Sequence, residues 1–251
     1  MASLQGSARD HELPGQEIQG NDMDELNRPR IELLNGNSLE LLAKMPEGCI
    51  DLVVTDPPYR IGTGGDCGDR PKGILSGNRQ LFEHQNDIEI YEWMPLIYKV
   101  LKPDTHAYVF TNFKNLREMM EEAEKVGFKI HNLLVWEKNN CTPSQYYMKN
   151  CEYILFLRKG RAKWINDIGG SKTVHQFNNI IGNKTHPCEK PVDLLKFYVL
   201  NSSKEGDLVI DPFMGTGSCG VACRETNRNF IGIERDQKYY DIAKERLASG
   251  I

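Results

Sequence analysis

The chain predicts an α/β fold, a largely parallel sheet with helices on both faces. Three observations carry this. Short apolar runs alternate with amphipathic segments from about residue 30 to the end. Two of the runs stop in turns that cannot continue a strand, Asp56-Pro57-Pro58-Tyr59 and Asp211-Pro212-Phe213-Met214-Gly215-Thr216-Gly217-Ser218, and open α/β sheets place their chemistry at strand ends. A length of 251 residues suits one large domain with an ample core.

The elements follow in order. Residues 1–29 are polar, acidic and without periodicity, which predicts a disordered tail. A single folded domain is expected over 30–251. Ile31–Leu34 reads as a short strand, and Ser38 as the N-cap of a helix through Lys44. Ile50–Thr55 is an apolar strand. Residues 88–101 place Trp93, Ile97, Val100 and Leu101 on one helical face. His106–Thr111 is a strand, and Phe113–Val126 a helix stopped by Gly127. Strands at Lys129–Trp136 and Tyr153–Leu157 are joined through 137–152. A helix at Pro191–Asn201, a strand at Leu208–Asp211, a helix after the glycine turn, a strand at Phe230–Glu234 and a helix at Gln237–Ala248 complete the series.

Asp56-Pro57-Pro58-Tyr59 is the most chemical of the turns. Consecutive prolines fix φ and donate no N–H, so the chain leaves the sheet extended, with bare carbonyls. A carboxylate, a carbonyl and an aromatic face together suit a planar ring bearing an –NH2 group. The same residues also fit a plain acidic turn over a packed tyrosine. At the second turn, Gly215, Gly217 and Gly220 fit G-x-G-x-x-G, and the acidic Glu234 ends the next strand. This arrangement suits a nucleotide whose ribose the acid holds. It does not separate a nicotinamide cofactor from another adenosyl cofactor.

Thr55–Tyr59 (T-D-P-P-Y), His186–Pro191 (H-P-x-x-K-P) and Asp211–Gly217 (D-P-F-x-G-x-G), in this order, resemble the β-class DNA amino-methyltransferases that use S-adenosylmethionine (AdoMet). The resemblance spans about 31–248. It implies a circularly permuted Rossmann-like AdoMet methyltransferase fold, in which Ile31–Leu34 takes the sheet position beyond Phe230–Glu234. It implies Asp56, Pro57, Pro58 and Tyr59 as the catalytic group, acting on an adenine N6 flipped out of duplex DNA. Cytosine N4 is the alternative, although such members more often carry Ser at the position of Asp56. A nicotinamide oxidoreductase or a non-catalytic nucleotide binder is a more distant one. For AdoMet it implies Asn37, Asp56, His186, Lys190, Asp211, Pro212, Phe213, Gly215, Gly217, Ser218 and Glu234. His186 reads equally well as a turn histidine.

Net charge is −4, which argues against a generic polyanion binder. Its distribution is uneven, with an acidic first 27 residues and a basic island of about +6 over 138–190. Two stretches are expected to read DNA. One is the glycine-rich 60–87, with Arg60, Arg70, Lys72 and Arg79. The other is 138–185, where Lys138, Tyr146, Tyr147, Lys159, Arg161 and Lys163 interleave rings and bases. Both are short, which suits a short target site in double-stranded DNA read with help from a second subunit, as a homodimer. Seven cysteines without a C-x-x-C pair predict neither a disulfide framework nor a metal site. With no signal peptide and no spanning apolar stretch, a cytoplasmic protein of a bacterium, archaeon or phage is expected.

Overall fold

A computed structural model describes residues 28–58, 88–142, 146–180 and 189–248. Its order is β1 (Ile31–Asn35), α1 (Ser38–Lys44), β2 (Ile50–Thr55), α2 (Ile90–Val100), β3 (Leu101–Thr111), α3 (Leu116–Val126), β4 (Lys129–Thr142), β5 (Lys149–Lys159), β6 (Val174–Gln176), α4 (Val192–Ser202), β7 (Leu208–Asp211), α5 (Ser218–Glu225), β8 (Asn229–Glu234) and α6 (Gln237–Ala248). The strands form one eight-stranded sheet, β1-β8-β7-β2-β3-β5-β4-β6. Pairings are parallel except where β5 runs antiparallel to β3 and β4.

Strand alternation decides which helix covers which face. Leu52 and Val54 of β2, with Tyr108 and Phe110 of β3, pack against α4, α5 and α6 through Leu194, Tyr198, Ala222 and Ala243. Val53 of β2, with Ala107 and Val109 of β3, packs against α1, α2 and α3 through Leu42, Trp93, Ile97 and Met119. Helices therefore cover both faces, as the alternation of runs predicts. β1 joins the edge beyond β8, in register from Ile31 opposite Phe230 to Asn35 opposite Glu234. The permuted position expected for it is the one it takes.

Several boundaries differ from the sequence reading. Asn37, not Ser38, caps α1: its side chain accepts from Leu39 N, while the Ser38 hydroxyl is buried and donates to the Pro212 carbonyl. β3 starts at Leu101 and β4 and β5 run far beyond their apolar cores, because the antiparallel ladder between them continues through polar residues. β6 was not foreseen. It has three residues, and its partner is β4.

Candidate active site

The order of strands creates the site. The connection from β7 runs through α5 to β8, and that from β2 runs through α2 to β3, so the chain departs in opposite directions from the β7/β2 boundary. At such a switch point nothing crosses above the strand ends, and a crevice is left open. Here it is a cleft enclosing about 1210 Å³, including solvent at its mouth. Thr55, the last residue of β2, donates to Asp211 Oδ1 at 2.7 Å and ties the two strand ends together across the floor.

The β7 side of the cleft is a backbone cradle. Gly215 has φ +53°, and a Cβ there would meet nothing within 4 Å, so this turn leaves its space to the cleft. Its N–H donates to Glu234 Oε2 at 3.0 Å, and Glu234 Oε1 accepts from Asp236 N at 2.8 Å. Burial pushes the Glu234 carboxyl up, against these two donors. Asp211 also accepts from Phe213 N at 3.1 Å. Burial outweighs the bonds from Thr55 and Phe213, and its carboxyl is pushed up to about 7. Ser218 lines the cleft and accepts from Arg246, which also holds Glu189 at 2.7 Å. The other two glycines have a different origin. A Cβ on Gly217 would lie 3.1 Å from that of Ala243, and one on Gly220 2.9 Å from Leu247 and Phe230. They are small because α6 and β8 pack there, and Gly217 does not line the cleft. The sequence reading made Gly217 a cofactor contact, and packing against Ala243 by itself accounts for the missing side chain.

The β2 side carries the charges. Asp56 and Pro57 follow Thr55 at the lip, with Pro58 beside them. The Lys190 ammonium, just before α4, pairs with Asp56 Oδ2 and lies 3.3 Å from Glu152 Oε2. It also sits 5.2 Å over the Phe110 ring. Glu152, on β5, pairs in turn with Lys138 on β4. Burial raises the Glu152 carboxyl, but Lys190 and Lys138 more than offset this and hold it below its usual range. Four alternating charges thus run inward from β2 to β4. The sequence reading assigned Lys190 to the cofactor and gave Glu152 no role. Nothing in their spacing, 38 residues apart, signals that they meet.

Comparison with known proteins decides what this site belongs to. The family model described as DNA methylase, for the N6/N4 enzymes, matches residues 50–245. The chain belongs to the β-class N6/N4 DNA methyltransferases. The Type II methyltransferase M2.LlaDCHI of Lactococcus lactis subsp. cremoris is 30% identical over 243 residues, covering 87% of this chain and 89% of that protein. M2.DpnII of Streptococcus pneumoniae is 29% identical over 246 residues, covering 88% and 91%. Among solved structures, the M1.HpyAVI–SAM complex superposes with a TM-score of 0.67 at 25% identity, covering 86% of this chain and all of that one. The cytosine-N4-specific PvuII methyltransferase shares the fold, with a TM-score of 0.67 at 21% identity, covering 88% and 89%. This membership displaces the nicotinamide reading of the glycine turn.

For this methyltransferase, the basic island divides. Tyr146 and Tyr147 are 87% and 94% exposed and immediately precede β5, at the cleft end of the sheet. Lys159 lies at the other end of β5, opposite Thr105 near the start of β3. Its ammonium is buried and donates to the carbonyls of Tyr98 and Leu101 at 2.8 Å. These bonds occupy the ammonium that the sequence reading gave to a phosphate. Arg161 stays beside it, with Nη2 3.0 Å from Asp104 Oδ2, and exposed Lys163 is near the same carboxylate. Both sit at the sheet end away from Asp56, whereas the sequence reading placed them among the DNA contacts. Lys138, which the sequence reading counted as a DNA contact, is turned inward onto Glu152, 4.8 Å over the Trp136 ring. Asn37 does not line the cleft, and its side-chain oxygen is already engaged as a cap. Residues 1–27 of the acidic tail, Tyr59, Arg60, Arg70, Lys72, Arg79 and His186 lie outside the described residues. Among the described residues no cluster of three His, Cys, Asp or Glu could hold a metal, and no helix is long and apolar enough to cross a membrane.

Proposed function

We propose that this enzyme methylates the exocyclic N6 of adenine within a short double-stranded DNA site, with AdoMet as donor and the target base rotated out of the stack. The observation that carries this reading is the shared cleft. The Asp56-Pro57 lip and the cradle of Gly215, Asp211 and Glu234 open on one space from neighbouring strands. The residues of the cradle fit an adenosyl amino acid. The backbone is open at Gly215, and the Glu234 carboxylate at the end of β8 stands where ribose hydroxyls are held in this class of fold. The Arg246–Glu189 clamp on Ser218 closes the side toward α6. When bound, AdoMet supplies a methyl group activated by a sulfonium.

The chain's own residues prepare the acceptor. The amino nitrogen of adenine is a poor nucleophile, because its lone pair is delocalised into the ring. The Asp56 carboxylate and the Pro57 carbonyl accept its two hydrogens and favour a pyramidal nitrogen with a localised lone pair. Asp56 then faces the positive charge that develops on that nitrogen. Tyr59 stacks on the extruded ring. No covalent enzyme intermediate is needed, and the work is orientation and charge placement.

The aspartate at the head of the motif, where cytosine-N4 members more often carry serine, favours adenine. Tyr146 and Tyr147 at the cleft end suit contact with DNA beside the flipped base. We also propose the arginines and lysine of 60–87 as phosphate contacts and His186 as part of the cofactor's surroundings, on the family's motif pattern. A homodimer and a cytoplasmic location agree with the same pattern. The test is direct. Mixed-sequence duplex DNA is incubated with the enzyme and methyl-labelled AdoMet, then digested to nucleosides. Label in N6-methyl-2′-deoxyadenosine supports the proposal, and label in N4-methyl-2′-deoxycytidine overturns its choice of base.

A further inference from the structure

We infer that Glu152 is a positioning residue that receives the Lys190 ammonium when the target amine takes its place on Asp56. The inference rests on the methyl-transfer reading above and adds a step to it. Asp56 is asked to accept a hydrogen from the incoming amino group, yet in the protein without DNA its Oδ2 already pairs with Lys190. The two uses compete for one carboxylate. The competition is sharpest as the amine becomes positive, because an ammonium on the same oxygens would oppose that charge. Lys190 therefore has to give way.

It cannot give way to solvent cheaply. Its side chain is only 9% exposed, and an ion left alone in such a place is strongly disfavoured. Among the described residues, a second carboxylate lies within reach. Glu152 Oε2 is 3.3 Å from the ammonium, so the lysine already stands between two carboxylates. A small rotation exchanges one for the other while the charge stays compensated throughout. The rest of the surroundings fix the path. The Phe110 ring lies under the ammonium at 5.2 Å, and Lys138 pairs with Glu152 from β4, the side away from Asp56. Glu152 itself is carried by β5 next to Tyr153, whose partner in the ladder is Thr111 at the end of β3. It is held by the sheet and not by a loop.

A buried ion pair kept only for stability would behave differently from an exchange partner, and a double-mutant cycle separates the two. Wild type, Glu152→Gln, Glu152→Asp, Lys190→Met and the Lys190→Met/Glu152→Gln pair are compared on unmethylated plasmid DNA at saturating AdoMet. AdoMet affinity is measured by calorimetry without DNA. With glutamine at 152, the carboxylate that receives the Lys190 ammonium is gone, so kcat should fall about tenfold or more, while AdoMet affinity stays within about threefold. Aspartate at 152 should recover kcat to within about threefold of wild type. In the Lys190→Met background nothing needs a place to go, and adding Glu152→Gln should change kcat less than about twofold. Wild-type kcat in Glu152→Gln, or the same penalty in both backgrounds, would overturn the inference. Failure of the underlying reading looks different: the wild-type enzyme would then place no methyl on a DNA amine, or Asp56→Ala would remain active.

Discussion

The two ends of β5 carry nearly the same chemistry and have different fates. Both ends are rich in lysine and in polar groups, and in sequence they form one basic island. Over 11 residues the strand climbs roughly 34 Å, so the island is divided between opposite edges of the sheet. At the cleft end Glu152 collects Lys138 and Lys190 beside Asp56, and Tyr146 and Tyr147 stand exposed. At the far end Lys159 is buried against the carbonyls of Tyr98 and Leu101, and Arg161 closes on Asp104. Charge counted along a chain that contains a long antiparallel strand therefore says little about a binding face. The direction of the strand says which of the charges can share a ligand.

Substitutions at the two ends should separate accordingly. The largest effect is expected at the lip. Asp56→Ala should lower methyl transfer by roughly a thousandfold, and leave AdoMet affinity within about tenfold, because the lost group acts on the amine. Persistence of wild-type turnover would show that the cleft end is not the reacting end. Next comes the cradle. Gly215→Val forces a branched residue into a left-handed conformation and fills space that opens on the cleft, so calorimetry should show AdoMet binding lost while circular dichroism shows a folded protein. Glu234→Ala should cost about 1–3 kcal/mol of cofactor affinity. A smaller loss is expected in the exposed pair. Tyr146→Ala with Tyr147→Ala should weaken duplex binding by about 1–3 kcal/mol, read by fluorescence anisotropy, without changing AdoMet affinity.

The pH dependence offers a finer probe of the same end. The Asp211 carboxyl is raised to about 7 by burial, well above its value in an unfolded chain. The stability it contributes is present in full below about pH 4 and is lost as pH rises toward 7. Asp211→Asn keeps an oxygen for Thr55 and carries no charge. It should raise the Tm of the ligand-free protein by about 2–4 °C at pH 8 and leave it unchanged at pH 4. Equal shifts at both pH values would mean that charge burial is not the cause. The smallest effect is expected at the far end. Arg161→Gln with Lys163→Gln should leave the salt dependence of DNA binding unaltered, whereas a slope flattened by about two contacts would return this edge to the DNA face.

The parts of the fold that were legible in sequence are those in which local pattern and global position agree. The apolar runs Ile50–Thr55 and Leu208–Asp211 are strands because nothing else could bury them, and their proline and glycine turns mark the strand ends that form the cleft. β6 was illegible because Val174–Gln176 is short and mostly exposed, and becomes a strand only by lying along β4. At Gly217 the sequence pattern alone cannot separate two causes, because packing against Ala243 and a close ligand both demand the same absent side chain. The charge chain from Lys138 to Asp56 was illegible for a third reason. Its members come from four separate segments, and only the strand order makes them neighbours.

The position of β1 bears on how the molecule comes into being. Its sole ladder partner among the described residues is β8, and Arg30 N bonds to Asn229 Oδ1 at 2.8 Å across 199 residues of sequence. A polypeptide emerging from the ribosome can zip β2, β3, β4 and β5 together from near neighbours. Its first strand must wait, unpaired, until the last one is made. The same late segment brings Glu234 and the α6 residues that back Gly217. The β2–β5 half can thus be assembled early, while the half that carries the glycine cradle waits for β8 and α6. A chain without β8 has no complete cleft, so the walls of the site come together with the closing of the sheet.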